Sequence, residues 1–179
     1  MNRRTHLRYI LGGALALTVN PSEIWAKVNK TSSAPEDLGM LLEALTDQIL
    51  EVPKTSANEI NHWANFVYCF ANEFVSPADK ALFYLGCEKW QAHCQKKYNA
   101  VYEQLDPKKQ KKVLQHLFDS LHPKDFPEAQ QWAKQLRSYV FFAFYTSERG
   151  ATEQLAYLPI PGKYEGDLPL QPNQKAWTL

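Results

Sequence analysis

Apolar residues recur at helical spacing along most of the chain. Leu38, Leu41, Leu42, Leu45 and Ile49 stand three or four positions apart, the spacing that gathers side chains on one face of an α-helix. Ser33-Ala34-Pro35-Glu36 just ahead of them has the form of a capping box with Pro inside the start. Val52-Pro53 stops this first helix near Glu51. Ser56-Ala57-Asn58-Glu59 is a second capping box, and Ile60, Trp63, Val67, Phe70 and Phe74 form the stripe behind it. Ser76-Pro77-Ala78-Asp79 starts a third helix, whose face runs through Phe83, Cys87, Trp90, Cys94, Tyr98, Val101 and Leu105. Asp106-Pro107 caps a fourth, with Val113, Leu114, Leu117 and Leu121 inward and His122-Pro123 at its end. Pro127-Glu128 opens a fifth, carrying Trp132, Leu136, Tyr139, Val140 and Ala143.

The pattern predicts an all-α fold of about five helices over residues 27–150. Connections are short, so neighbouring helices should be antiparallel in a small bundle. No strand alternation and no internal repeat are visible. The fifth helix is apolar all round from Tyr139 to Tyr145, which implies burial on every side and more cover than one small domain supplies. Gly150 reads as the C′ stop of that helix. Beyond it, residues 151–179 form an extended tail. Pro159, Pro161, Pro169 and Pro172 forbid helix and discourage sheet. Tyr157, Tyr164 and Trp177 give the tail a composition unlike that of a disordered segment. A Pro-stiffened aromatic segment of this kind wraps across a surface and anchors there. The surface is that of a partner or of the chain's own helices.

Composition narrows the class. A chain of 179 residues is one domain's worth and long enough to bury a core. A formal net charge of +1 argues against an electrostatic nucleic-acid binder. The lysine cluster Pro107-Lys-Lys-Gln-Lys-Lys112 reads as a solvated helix face, because no aromatic or Gly-rich nucleic-acid motif accompanies it.

The N-terminus has its own pattern. Arg3, Arg4 and Arg8 precede an apolar run from Tyr9 to Val19, too short for a bilayer span of about 20 residues. A basic region followed by a short apolar one is an export signal. The pair Arg3-Arg4 with Leu7 and Arg8 behind it looks like a twin-arginine signal, although His6 stands where Phe is usual. An ordinary secretory leader is the plainer alternative. Cleavage after Ala26 assigns residues 1–26 to the signal, and the folded protein then occupies the periplasm.

Candidate chemistry is sparse. None of His6, His62, His93, His116 and His122 belongs to HExxH or to a Cys/His zinc spacing. There is no CxxCH, no GxGxxG and no P-loop. No residue is selected as catalytic, cofactor-binding or metal-ligating. Cys87 and Cys94 lie two turns apart, roughly 10 Å along one helix, too far to bridge each other. Cys69 comes within reach of one of them if helices two and three form a hairpin. The simpler reading makes all three small core hydrophobes.

The segment Thr146-Ser-Glu-Arg-Gly-Ala-Thr-Glu-Gln-Leu-Ala-Tyr-Leu-Pro-Ile-Pro-Gly-Lys-Tyr164 resembles the C-terminal signature of the gluconate 2-dehydrogenase subunit 3 family. Members show a doubled aromatic, then T-S-E, G-A-T, an L-x-Y-x-P-x-P-G-x-Y run and a late A-W. Here these are Phe144-Tyr145, Thr146-Ser147-Glu148, Gly150-Ala151-Thr152, Leu155 to Tyr164 with Pro161 and Gly162, and Ala176-Trp177. Asp167 stands where many members have Cys. The resemblance implies the small subunit of a periplasmic sugar or sugar-acid dehydrogenase with no active site of its own. It implies a large flavin subunit of the glucose-methanol-choline oxidoreductase type that holds FAD. A multihaem cytochrome c is often a third member, and contact with the membrane is then indirect, through the complex. The small subunit would stabilise the flavin subunit and carry it through export. Phe144, Tyr145, Thr146, Ser147, Glu148, Gly150, Tyr157, Pro161, Gly162, Tyr164 and Trp177 are the expected partner-facing positions. An electron-transfer subunit with haem or quinone, or a stand-alone enzyme, are the alternatives.

Overall fold

In the computed structural model, residues 20–28, 34–119, 126–157 and 175–178 are described. Arg3, Arg4, Leu7, Arg8, Leu121, Pro161, Gly162 and Tyr164 therefore lie outside the described residues. The fold is all-α: six helices account for most of the described chain, in the order α1 Pro21–Val28, α2 Glu36–Leu50, α3 Ala57–Glu73, α4 Pro77–Tyr98, α5 Pro107–Asp119 and α6 Ala129–Tyr145.

The predicted helix starts hold in three of five places for the reasons given by their side chains. At α3 the Ser56 hydroxyl accepts from the Glu59 backbone N–H, and the Glu59 carboxylate accepts from the Ser56 N–H in return. At α4 Ser76 accepts from Asp79 N–H, with Pro77 just inside the helix. At α5 the Asp106 carboxylate accepts from Lys108 N–H. The start of α2 differs. Its N-cap is Pro35, which makes no side-chain cap bond, and Ser33 is outside the described residues. The start of α6 also lacks a side-chain cap bond; its N-cap is Glu128.

Two helix ends depart from expectation. The third predicted stripe continued to Leu105, but α4 stops at Tyr98 because Asn99 takes the left-handed conformation (φ 56°), which Asn tolerates better than most residues. The chain then makes a 3-10 turn, Tyr102–Gln104. Tyr102 is fully buried there. Its backbone N–H donates to Gln91 at 2.9 Å, its hydroxyl donates to the Gln110 carbonyl at 3.3 Å, and Gln110 donates back to the Tyr102 carbonyl at 3.1 Å. Gln110 is thus the buried member of an otherwise exposed lysine-rich segment. The second departure is at α6, which ends at Tyr145 and not at Gly150.

The segment just before Lys27 is helical. Residues Pro21–Val28 form α1, whose start is capped by the Asn20 side chain accepting from Ser22 N–H at 3.1 Å. Ile24 is fully buried, and the Trp25 ring lies 4.4 Å from Phe66 and 4.5 Å from His62, centroid to centroid. Lys27 pairs with Glu73. Burying a side chain the size of Ile24 contributes roughly 1.5–3 kcal/mol, so this helix is part of the folded unit and runs across the expected boundary at Ala26.

The core lies where α3 and α6 meet the other helices. α3 contacts α1, α2, α4 and α6, while α6 contacts α2, α3, α4 and α5. The apolar run of α6 is buried at Val140, Ala143 and Phe144, partly buried at Tyr139, Phe141 and Phe142, and 43 % exposed at Tyr145. Cys69, Cys87 and Cys94 are free, buried thiols. Burial pushes Cys87 and Cys94 up to about 12, so they serve as packing groups at neutral pH.

After α6 the chain makes a π-type turn, Gly150–Gln154. Two three-residue strands follow, β1 Leu155–Tyr157 and β2 Ala176–Thr178. They pair in parallel, Leu155 opposite Ala176 and Tyr157 opposite Thr178. The expectation of no strand is corrected here. Parallel pairing needs a long connection, and β1 ends at Tyr157 while β2 begins only at Ala176. A three-residue strand gives too short a run for alternation to show in sequence.

α4 and α6 meet at Gly86. A Cβ at this position would lie 2.0 Å from Trp132 Cδ1, and Trp132 is fully buried with no room to yield. Gly86→Ala is therefore expected to cost about 1–3 kcal/mol or more by overpacking, a fall in Tm of roughly 3–10 °C for a chain of this size. At Gly39 the added Cβ would meet Ala34 Cβ at 3.7 Å, an ordinary contact, so Gly39→Ala should stabilise by about 0.5–1 kcal/mol. Thermal melting of the two variants checks both signs.

Candidate interaction groove at the TSERGATE turn

The segment Thr146–Glu153 forms one wall of an open groove of about 860 Å³, with α1 and the start of α3 as the others. Trp25, Lys54, Asn58, His62, Glu148 and Arg149 are among its lining residues.

The turn is built by side chains that replace the missing helical bonds at the end of α6. The Thr146 hydroxyl donates to the Phe142 carbonyl at 2.7 Å, and the Ser147 hydroxyl donates to the Phe144 carbonyl at 2.6 Å. Gly150 N–H donates in turn to the Ser147 oxygen at 3.2 Å. This brings the backbone of Gly150 so close to α6 that a Cβ would lie 2.0 Å from the Phe144 oxygen. No glycine described has positive φ. Gly150 is needed for close approach, and its expected role as a left-handed helix stop is corrected. Thr152 donates to the Glu148 carbonyl at 2.8 Å. All three hydroxyls of the motif are thus directed to backbone carbonyls.

Arg149 fastens this turn to the loop before α3. Its guanidinium donates to Glu59 at 3.1 Å, to the Pro53 carbonyl at 2.9 Å and to Glu153 at 3.1 Å. Glu59 divides its carboxylate between two tasks: one oxygen completes the Ser56 capping box and the other takes Arg149. The hydrogen bonds from Ser56 and then from Arg149 hold the Glu59 carboxyl below its usual range. Planar, forked donors suit this multiple contact as an ammonium would not.

The expected partner-facing residues separate into two groups. Phe144, Ser147 and Gly150 are buried; Phe144 packs edge-on to Trp63 at 5.3 Å between centroids. They build the turn from inside. Tyr145 and Glu148 are exposed, and Thr146 is half-buried, where its hydroxyl accepts from Trp25 Nε1 at 3.4 Å. Tyr157 and Trp177 stand in β1 and β2, so the two ends of the tail are hydrogen-bonded to each other. Arg149 and Trp25 were not singled out in the sequence. Asn20-Pro21-Ser22-Glu23 is a helix-start pattern of the same kind as Ser76-Pro77-Ala78-Asp79, and it was the available signal for α1.

His62 is half-buried under Trp25, and burial lowers its pKa from the usual 6.5. The unfolded chain then takes up a proton before the folded one does. The contribution to stability is complete above about pH 6.5 and falls away as the pH drops below it. Between pH 7.5 and 5.5 the wild type is expected to lose more of its melting temperature than His62→Gln. Equal losses in the two proteins would mean that His62 does not carry this dependence.

Among the described residues there is no group of three or more His, Cys, Asp or Glu side chains that could hold a metal ion, and no helix long and apolar enough to cross a membrane. Comparison with curated proteins gave no match, and neither did comparison with solved structures. The sequence model of gluconate 2-dehydrogenase subunit 3 matches residues 36–162. That span begins at the first residue of α2, takes in α3 to α6 and the whole Thr146–Glu153 turn, and covers more than half of the chain: the protein belongs to the gluconate 2-dehydrogenase subunit 3 family.

Proposed function

We propose that this chain is the non-catalytic small subunit of a periplasmic FAD-dependent sugar or sugar-acid dehydrogenase. In this reading it stabilises a large flavin subunit of the glucose-methanol-choline type and carries it through twin-arginine export; a multihaem cytochrome c is a further candidate partner. FAD would be held by the large subunit. The observation that carries the reading is the family match from α2 through the motif turn. Two features support it. Arg3-Arg4 opens a leader of the kind that exports folded cargo. The groove's motif hydroxyls are committed to backbone carbonyls, while Glu148 in its lining and Tyr145 at the end of α6 are exposed. A rigid turn presenting an aromatic and a carboxylate is suited to anchoring a partner.

The test is co-expression with a flavin subunit of this type. Arg3→Lys with Arg4→Lys should leave both chains in the cytoplasm, since Lys does not reproduce a guanidinium pair. Flavoprotein still arriving in the periplasm would contradict the carrier role. Tyr145→Ala with Glu148→Arg should weaken co-purification on the order of tenfold or more, the range of one interface anchor. The isolated small subunit should keep its melting temperature. Full binding by this double variant would move the interface away from the end of α6 and the turn that follows it.

A further inference from the structure

A basic face spans the end of α4 and the exposed side of α5. Six lysines stand between Lys96 and Lys112 against two carboxylates, Glu103 and Asp106, in a chain whose formal net charge is +1. The remainder of the chain is therefore net acidic. Glu103 is bonded to Gln91, and Asp106 caps the Lys108 N–H. Lys97 from α4 and Lys109 from α5 lie over the same ring, that of Tyr98, at 5.4 and 4.9 Å from its centroid. This ring joins the two groups of lysines into one patch. Lys108 and Lys112 are exposed one turn apart on α5, and Lys111 pairs with Glu51 at the edge. Among the described residues, Lys97, Lys108, Lys109 and Lys112 have no carboxylate partner.

This charge does not serve the helix. α5 has no acidic residue in its first turn, so its lysines stand at the end where the helix dipole disfavours cations. Lys108 and Lys112 are also like charges at i,i+4, which repel. Two ammonium groups already lie over Tyr98, so that ring is not open for a nucleic-acid base to stack on. Protein interfaces are anchored by aromatic and arginine side chains and are poor in lysine. The exposed large apolar residues, Met40, Leu85 and Tyr145, all lie outside this patch. Flexible point charges with no exposed large apolar residue among them suit a diffuse negative surface. We propose that this face seats the chain on an anionic phospholipid membrane by direct contact with the headgroups, in addition to any attachment through a partner. With no apolar side chain to insert, α5 lies on the headgroups and not among the acyl chains, and the contact is sensitive to salt.

The experiment is co-sedimentation of the purified full chain with vesicles of phosphatidylcholine alone or mixed with phosphatidylglycerol. The wild type is expected to bind the mixed vesicles only, and to leave them when salt rises from about 0.1 to about 1 M, which cuts the screening length from about 10 to about 3 Å. Lys108→Gln with Lys109→Gln and Lys112→Gln should lower binding roughly a hundredfold, since each lysine near such a surface is worth about fivefold. This variant should keep its melting temperature or gain slightly, because the changes relieve repulsion at the start of α5. Lys54→Gln with Lys89→Gln and Lys134→Gln removes the same charge from exposed positions elsewhere and should bind nearly as the wild type does. A wild type that binds both kinds of vesicle alike, or neither, would overturn the proposal. Equal losses in the two triple variants would reduce the effect to net charge and overturn it as well. Undiminished vesicle binding by the first variant would place the lipid contact elsewhere in the chain. If that variant instead lost co-purification with the flavin subunit, the face would be a protein interface and not a membrane one.

Discussion

The contact between α3 and α6 is the constraint on which the rest of the molecule depends. It is made largely of rings. Trp63 meets Phe144 edge-on at 5.3 Å, and Phe142 meets Phe66 and Phe70 at 5.5 and 5.2 Å. Edge-to-face rings prefer particular angles as well as particular distances, so this contact fixes how the two helices lie against each other. Towards the other end of α6, Trp132 enters the space left by Gly86 on α4 and sets how deeply α6 sits. α2 and α5 then pack on an axis that is already defined.

The motif turn is an extension of that contact. Phe144 is both the last deep core residue of α6 and the carbonyl to which Ser147 is tied. Only glycine can approach this closely at position 150, because that carbonyl stands where a Cβ would be. Arg149 carries the geometry across to the capping box of α3 through Glu59. A short signature thus connects the end of one helix to the start of another. Its buried members define the turn, and its exposed members, Tyr145 and Glu148, are positioned by it.

Helix α1 closes the same region from the opposite side. Trp25 lies over His62 and Phe66 and reaches Thr146. Three segments far apart in sequence therefore meet at one groove, and each is held by a different interaction: ring stacking, a capping carboxylate and a guanidinium fork. The family match starts only at Glu36, so α1 is an addition to the matched span that completes the groove wall in this chain.

The sequence alone determined the helical class, most helix positions and the family. Those features are local: apolar spacing, capping residues and prolines act within a few positions of one another, and Ser56–Glu59 and Ser76–Asp79 formed as their side chains dictate. The signature from Phe144 to Trp177 was equally legible because it is a matter of residue order. Tertiary structure decided the rest. Whether Gly150 ends a helix or admits a carbonyl depends on what lies opposite it, and Asn99 could end α4 early because Tyr102 had a core position to fill. The pairing of β1 with β2 joins positions about twenty residues apart, a distance over which no local pattern operates. Arg149 looked like any surface charge until the fold brought Glu59, ninety positions away, within hydrogen-bonding distance. Ile24 and Trp25 followed a leader-like run and were grouped with it; the buried surface of α3 gives them their place, and that surface exists only once α3 and α6 have met.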